Sequence, residues 1–596
     1  MISFFRRIAL FLLLVGVSVT LFAQQTVTVK VLSTSDVHGA LFPFDFINNR
    51  PTDHSLAQVY TYVKQERANA NQSLVLLDNG DILQGQPAVY YSNFIDTVNQ
   101  NIVPSILNFM GYNAASVGNH DIEAGPTVYN KVRAQYSFPW LGANIVNEET
   151  GKPWFKPYTI EERQGIRIAV LGLTTPGIPN WLPKNLWAGM QFTDMIESAR
   201  YWVEVIKKEE KPHVIIGLFH SGHNPYYGDQ SPEKPLNENA SVLVAQQVPG
   251  FDVIFIGHDH DRMNKKFANV AGDSVLVLDP MSAAKLIAEA KITVSLDAKG
   301  NMIGKRVVGK LVETRSFVPD AEFVSTFADF YNRVNEFVDR PIGRFNTSAT
   351  TRDAYFGSSA FVDLIHNVQM AVSGADISFA APLSFDVTIP TGMVYVRDMF
   401  KLYKYENLLY TMKLTGKEIK DYLEFSYSLW LNTMSSPKDN LILFKYKPNG
   451  ELLLQRDNRA SLLNSYYGFD SAAGINYTVD VSKPVGERIS IKSMADGSAF
   501  DLNKLYVVAL NSYRGNGGGG HLFAKGAGLT PEQVTERLIG STELDLRYYL
   551  MKWIEVREVI NPKPLNNWSI VPSNWVEEAK KHDYQYMFGS SEFNLE

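Results

Sequence analysis

Five short apolar runs in this chain each stop at a knot of polar residues. "VTVKVLS" leads into "TSDVHG", "SLVLL" into "DNGDILQG", a third apolar stretch into "SVGNHDIEAG", "HVIIGLF" into "HSGH" and "DVIFI" into "GHDH". Between them lie segments with helical spacing, such as Leu56, Val59, Tyr60 and Val63, or Ile196, Ala199, Val203 and Ile206. Strands alternating with helices predict an α/β layered domain, and in a mostly parallel sheet the strand ends share one edge, where such folds place their sites.

That edge is rich in metal-ligand residue types. Of the eleven histidines, five (His38, His120, His220, His258 and His260) follow the apolar runs directly, alongside Asp36, Asp78, Asp81 and Asn119. One such histidine is ordinary; five together are not. Carboxylate, amide oxygen and imidazole without sulfur suit Zn²⁺, Mn²⁺ or Fe, and Mg²⁺ or Ca²⁺ less well. The candidates exceed the needs of one ion. Two divalent ions about 3.5–4 Å apart, sharing a carboxylate, would clamp the oxygens of a phosphoryl centre.

Taken in order, D-V-H, G-D-x-x-x-G, G-N-H-[DE], H-x-G-H and G-H-x-H resemble the calcineurin-type metallophosphoesterases, and more narrowly the exported 5′-nucleotidase and 2′,3′-cyclic-nucleotide phosphodiesterase family, over about residues 27–553. The resemblance implies a four-layer α/β/β/α metallophosphoesterase domain followed by an α+β 5′-nucleotidase C-terminal domain. It also implies that Asp36, His38, Asp81 and His260 hold one metal and that Asp81, Asn119, His220 and His258 hold the other. His120 would face the phosphate, stabilising charge or protonating the leaving oxygen, and Glu123 stands where the family often has an orienting Asp.

Two tyrosine-bearing loops mark the second half, "NSYYGFDSAAG" and "LNSYRGNGGGGHLF". The glycine run follows an apolar strand and is bracketed by Tyr513, Arg514 and His521, which a flexible spacer does not need. Bare backbone lets a planar ligand approach and aromatic faces hold it. By the resemblance, Tyr467 and Tyr513 sandwich a nucleobase, with Asp470, Gly517 and Gly518 beside it, and the domains close over the substrate. In the 5′-nucleotidase branch an Asn-Gly-Gly-x-Arg segment supplies an arginine for the phosphate. Here "AAPLSF" takes its place and no arginine precedes Arg397. That departure resembles the branch that opens 2′,3′-cyclic nucleotides and then removes the 3′-phosphate. A 5′-nucleotidase, a nucleotide-sugar hydrolase and a nucleotide-binding receptor on the same scaffold remain alternatives.

At 596 residues the chain exceeds the roughly 250–300 at which one core stops growing. The expected division is a metallophosphoesterase domain over 25–318, a linker helix and hinge over 319–340, a nucleotide-binding domain over 341–557 and a surface tail over 558–596. A formal net charge of -6 without a basic run argues against polymeric nucleic acid as a partner, leaving a small-molecule nucleotide. The first 23 residues, with Arg6 and Arg7 before an apolar run that ends near Ala23, read as a signal peptide. With no cysteine for a disulfide or a lipid tether, a periplasmic or secreted protein without a membrane anchor is expected.

Overall fold

The computed structural model describes residues 25–455 and 457–589. The proposed signal peptide lies outside them. Two six-stranded sheets form the first domain. In one, Gln25–Thr34, Ser73–Asp78, Ala114–Ser116 and Trp140–Leu141 run parallel, and on one edge Leu286–Leu296 pairs antiparallel with Gln25–Thr34 and Met302–Glu313 antiparallel with Leu286–Leu296. In the other, Ile166–Thr174, Val214–His220, Val253–Ile256 and Ser274–Pro280 run parallel between the antiparallel edges Tyr158–Arg163 and Arg262–Ala268.

The period of two along each strand divides the core. Val27, Val29, Val31, Val214, Ile216 and Leu218 meet between the sheets, whereas Ile215 and Phe219 face helices Met195–Glu209 and Ser241–Gln247. On the outer face of the first sheet, Leu32 and Leu76 pack against helix Leu56–Arg67. The layers are helix, sheet, sheet and helix, as the resemblance implies. Among the described residues no helix is long and apolar enough to cross a membrane.

The expected linker helix is two helices, Ala321–Thr326 and Ala328–Val338, broken at Phe327. Phe323, Phe327, Phe330, Val334 and Val338 are buried in the core of the first domain, so the segment is docked rather than spanning a gap. The second domain is built on the five-stranded sheet Ser471–Ala473, Ile377–Ala380, Leu505–Asn511, Leu408–Thr415 and Leu538–Asp545, with helices Ala360–Ser373 and Gly416–Ser428.

Of the surface tail expected over 558–596, the described part, 558–589, is not one. Val559–Ile560 and Trp568–Val571 join two three-stranded sheets of the second domain, and helix Ser573–Phe588 buries Val576, Ala579, Met587 and Phe588 in its core. Asp583, fully buried, accepts hydrogen bonds from the Leu441 and Ile442 amides. The prolines that suggest a tail occupy the connections between these short elements.

Candidate active site

Parallel strands from both sheets deliver the polar knots to one edge. Asp36 and His38 follow Gln25–Thr34, Asp81 follows Ser73–Asp78, and Asn119 opens the short helix Asn119–Glu123 beyond Ala114–Ser116. His220 ends Val214–His220, and His258 and His260 follow Val253–Ile256. Five of these residues hold left-handed backbone: Asp36 (φ 50), His38 (φ 46), Asp81 (φ 55), His258 (φ 77) and His260 (φ 56). Such conformations cost about 1–3 kcal/mol each and persist where the surroundings over-determine them. Glycines make the room: a Cβ on Gly118 would run into Asp81 Oδ1, and one on Gly257 into Ser35 Oγ and Asp36.

The seven expected metal ligands converge in two groups. Asp36, His38 and His260 form one, and Asp81, His220 and His258 the other, each with ligand atoms within 4.8 Å of one another. Asn119 Oδ1 joins the second, 2.8 Å from His258 Nδ1 and 3.2 Å from His220 Nε2. Three imidazoles are held from outside by their other nitrogen. His38 Nδ1 meets Gln84 Oε1 at 3.1 Å, His220 Nδ1 meets the Asn79 carbonyl at 2.6 Å, and His258 Nε2 meets Glu238 Oε1 at 3.1 Å. Acceptors on the outer side place the ring proton there and leave the inner nitrogen a lone pair, the pattern that orients metal-bound histidines.

The inner atoms are thus mutual acceptors, such as His220 Nε2 at 3.1 Å from Asp81 Oδ2, an arrangement that divalent cations fit. The buried carboxylates favour positive charge at the site, so a proton and a metal ion compete for His220. Burial opposes charge on His220, yet Asp81 and Asp36 outweigh it and lift its pKa to about 10. His38, by burial and then by His260, is held neutral at about 3.

The three polar residues at 119–121 divide the labour. Asn119 faces the second ligand group. His120 donates its backbone N–H to Asp81 Oδ1 at 2.8 Å, and its Nδ1 is hydrogen-bonded to Glu123. Burial disfavours the imidazolium, but Asp81 and Glu123 lift its pKa to about 9. Asp121 is the unexpected member. Fully buried, it accepts from the amides of Asp81, Ile82, Leu83 and Gly118, fixing the loop that carries Asp81. His223 stays outside both groups, paired with Asp259 at 2.7 Å.

The second domain's glycine-rich tyrosine loop reaches the first domain beside the second ligand group. Tyr467 raises the pKa of Tyr227 in the first domain, and Asn516 Nδ2 donates to the Trp181 carbonyl at 3.2 Å while the Trp181 indole stacks on His258. Asp470 does not serve the expected contact with substrate. It is buried and accepts from Arg514 Nε at 2.9 Å and from the Tyr422 hydroxyl. Gly517 and Gly518 are also packing positions: a Cβ on Gly517 would enter the Phe523 ring, and one on Gly518 the Tyr513 ring. Arg514 is the hub, donating to the carbonyls of Tyr467 at 2.7 Å and Gly518 at 3.1 Å. Glu238, Trp181 and the hub role of Arg514 lack a periodic or motif signal, because each acts on a residue remote in sequence.

Residues 29–262 match the calcineurin-like phosphoesterase family and residues 341–525 the 5′-nucleotidase C-terminal domain. The chain is 25% identical over 613 residues to the trifunctional nucleotide phosphoesterase protein YfkN of Bacillus subtilis (strain 168), covering 92% of this chain but 39% of that protein's length. It is 26% identical over 621 residues to the 2′,3′-cyclic-nucleotide 2′-phosphodiesterase/3′-nucleotidase of Yersinia enterocolitica, covering 94% of this chain and 91% of the relative. The crystal structure of a 5′-nucleotidase precursor from Thermus thermophilus shares the fold, with a TM-score of 0.61 at 20% identity over 91% of this chain and 99% of that one. With two ligand groups at one sheet edge and both domains matched, the chain belongs to the metallophosphoesterases that carry a 5′-nucleotidase C-terminal domain, and is a metal-dependent phosphoric ester hydrolase.

Proposed function

We propose that this chain is an exported dinuclear phosphohydrolase that opens 2′,3′-cyclic nucleotides and then removes the 3′-phosphate, consuming one water at each step and releasing nucleoside and phosphate. Asp36, His38, His260 and Asp81 would hold one ion, and Asp81, Asn119, His220 and His258 the other, with Zn, Mn or Fe best matched to the donors. When bound, such ions supply Lewis-acid charge against the phosphate oxygens and make hydroxide available near neutral pH. Gln84, Asn79 and Glu238 keep three imidazoles turned inward. His120, held at Nδ1 by Glu123, offers the proton on its other nitrogen to the leaving ester oxygen. Tyr467 and Tyr513 grip the base.

The observation that carries the ester preference is the apolar segment at 380–383. Ala380, Ala381 and Leu383 are buried in the second domain's core, and Arg397 is buried and paired with Asp339. No arginine fork is offered there to a 5′-phosphate. Several relatives that span nearly the whole chain are named 2′,3′-cyclic-nucleotide 2′-phosphodiesterase/3′-nucleotidase, which favours the same reading. The test is kcat/KM for 2′,3′-cyclic AMP and 3′-AMP against 5′-AMP. Higher values for the first two are expected, and a clear preference for 5′-AMP moves the protein to the 5′-nucleotidase reading.

A further inference from the structure

Among the described residues, His258 is the one candidate ligand imidazole stacked on a ring that is not a histidine. Its centroid lies 5.5 Å from that of the Trp181 indole, with 25° between the planes. The other ring contacts of these imidazoles are edge-on and join histidines to one another: His38 to His120 and His260, and His220 to His258. The indole is built into place. Trp181 donates its backbone N–H to the Ile178 carbonyl at 3.1 Å, Ile178 and Leu182 are buried in the first domain's core, and the indole packs against that core. A Cβ on Gly177 would come 2.6 Å from the indole Cη2, so the bare glycine is what admits the ring. From the second domain, Asn516 Nδ2 holds the Trp181 carbonyl at 3.2 Å and closes the turn from the other side.

The stack meets a need of His258 that its polar contacts leave open. Nδ1 lies 2.8 Å from Asn119 Oδ1 and Nε2 3.1 Å from Glu238 Oε1. These two contacts fix where the ring lies but let it rock about the line between its nitrogens. Each nitrogen lone pair points away from that line, so rocking takes the inner one out of aim. His220 is fully buried and closed in on all sides, whereas the His258 side chain is 13% exposed. A flat indole against its face stops the rocking. Charge adds to the effect, because an imidazole bound to a cation is electron-poor and an indole face attracts positive charge best of the aromatic rings. The stack is therefore stronger with an ion on His258 than without, and by reciprocity it strengthens the hold on that ion by the same factor.

We infer that Trp181 is a positioning residue for the second metal, acting through the face of His258. The inference rests on the two-ion reading above. In the test, the full chain is stripped of metal and titrated with Zn²⁺ against a chromophoric chelator as wild type, as Trp181→Leu, which keeps apolar bulk without a flat face, and as Trp181→Phe, which keeps the face. Trp181→Leu should weaken one ion by about tenfold and the other by under about twofold, and Trp181→Phe should recover most of that loss. With Co²⁺ as a quenching substitute, tryptophan emission should fall on metal uptake in wild type, and Trp181→Phe should lack a large part of that fall. Unchanged affinity in Trp181→Leu, equal weakening of both ions, or the same quenching with and without Trp181 overturns the inference. A wild type that holds fewer than two ions overturns the two-ion reading on which it rests. The quenching comparison decides the matter if Trp181→Leu does not fold.

Discussion

At the residue scale, the site is a set of inward lone pairs held by outward acceptors, and the two kinds of residue should fail differently. His120→Ala removes a proton donor but no expected ligand. Turnover should fall by about 10²–10⁴ while two metal ions per chain are retained by elemental analysis, and loss of metal together with activity would make His120 a ligand. Glu238→Gln removes the carboxylate behind His258. Metal affinity, read by competition with a chromophoric chelator, should weaken by about 10–100-fold, with activity restored by excess Mn²⁺ or Zn²⁺. Unchanged affinity would leave Glu238 a bystander.

At the element scale, the two tyrosine loops are one unit, because the Arg514 guanidinium binds Asp470 and the carbonyls of Tyr467 and Gly518. Tyr513→Ala should reduce nucleotide use by the ~1–3 kcal/mol of a base stack and spare a small aryl phosphate, so equal damage to both substrates would mark the loop as structural. Helix Ala360–Ser373 is tied to the sheet by His366, fully buried between the hydroxyls of Ser378 at 2.9 Å and Ser471 at 3.1 Å. Burial holds its pKa at about 3, against 6.5 for an ordinary histidine. Between those values the unfolded chain binds a proton that the folded chain lacks, so this contribution to stability is present above pH 6.5 and is lost as pH falls toward 3. Urea unfolding at about pH 7.5, 6.5 and 5.5 should show a shallower pH dependence for His366→Gln than for wild type, and identical slopes would contradict the assignment.

For the whole molecule, the C-terminal segment completes the second domain and the first domain is sealed by the helices at 321–338. Trp568, Ile570, Val576, Met587 and Phe588 are buried in the second core. At about 2 kcal/mol for each such side chain their removal would cost about 10 kcal/mol, comparable with the roughly 5–15 kcal/mol that stabilises a whole domain. A chain ended at Arg557 should therefore lose the cooperative calorimetric transition of the second domain. A truncated protein melting like the full chain would show that the segment is dispensable.

Short-range pattern was enough to read the layered first domain, since strand alternation and the polar knots are written within a few residues of one another. The ligand groups were legible for the same reason: each knot sits directly after its own strand, and the fold needs only to align the ends. What the tertiary structure decided are relations between distant segments. Glu238 faces His258 from 20 positions away, Asp470 pairs with Arg514, the glycines at 517 and 518 yield space to Phe523 and Tyr513, and the last strands enter sheets begun far earlier in the chain. Local pattern records which side chains an element buries, but the partner of a buried polar group is chosen by packing across the chain, where desolvation penalises every unmatched donor and acceptor.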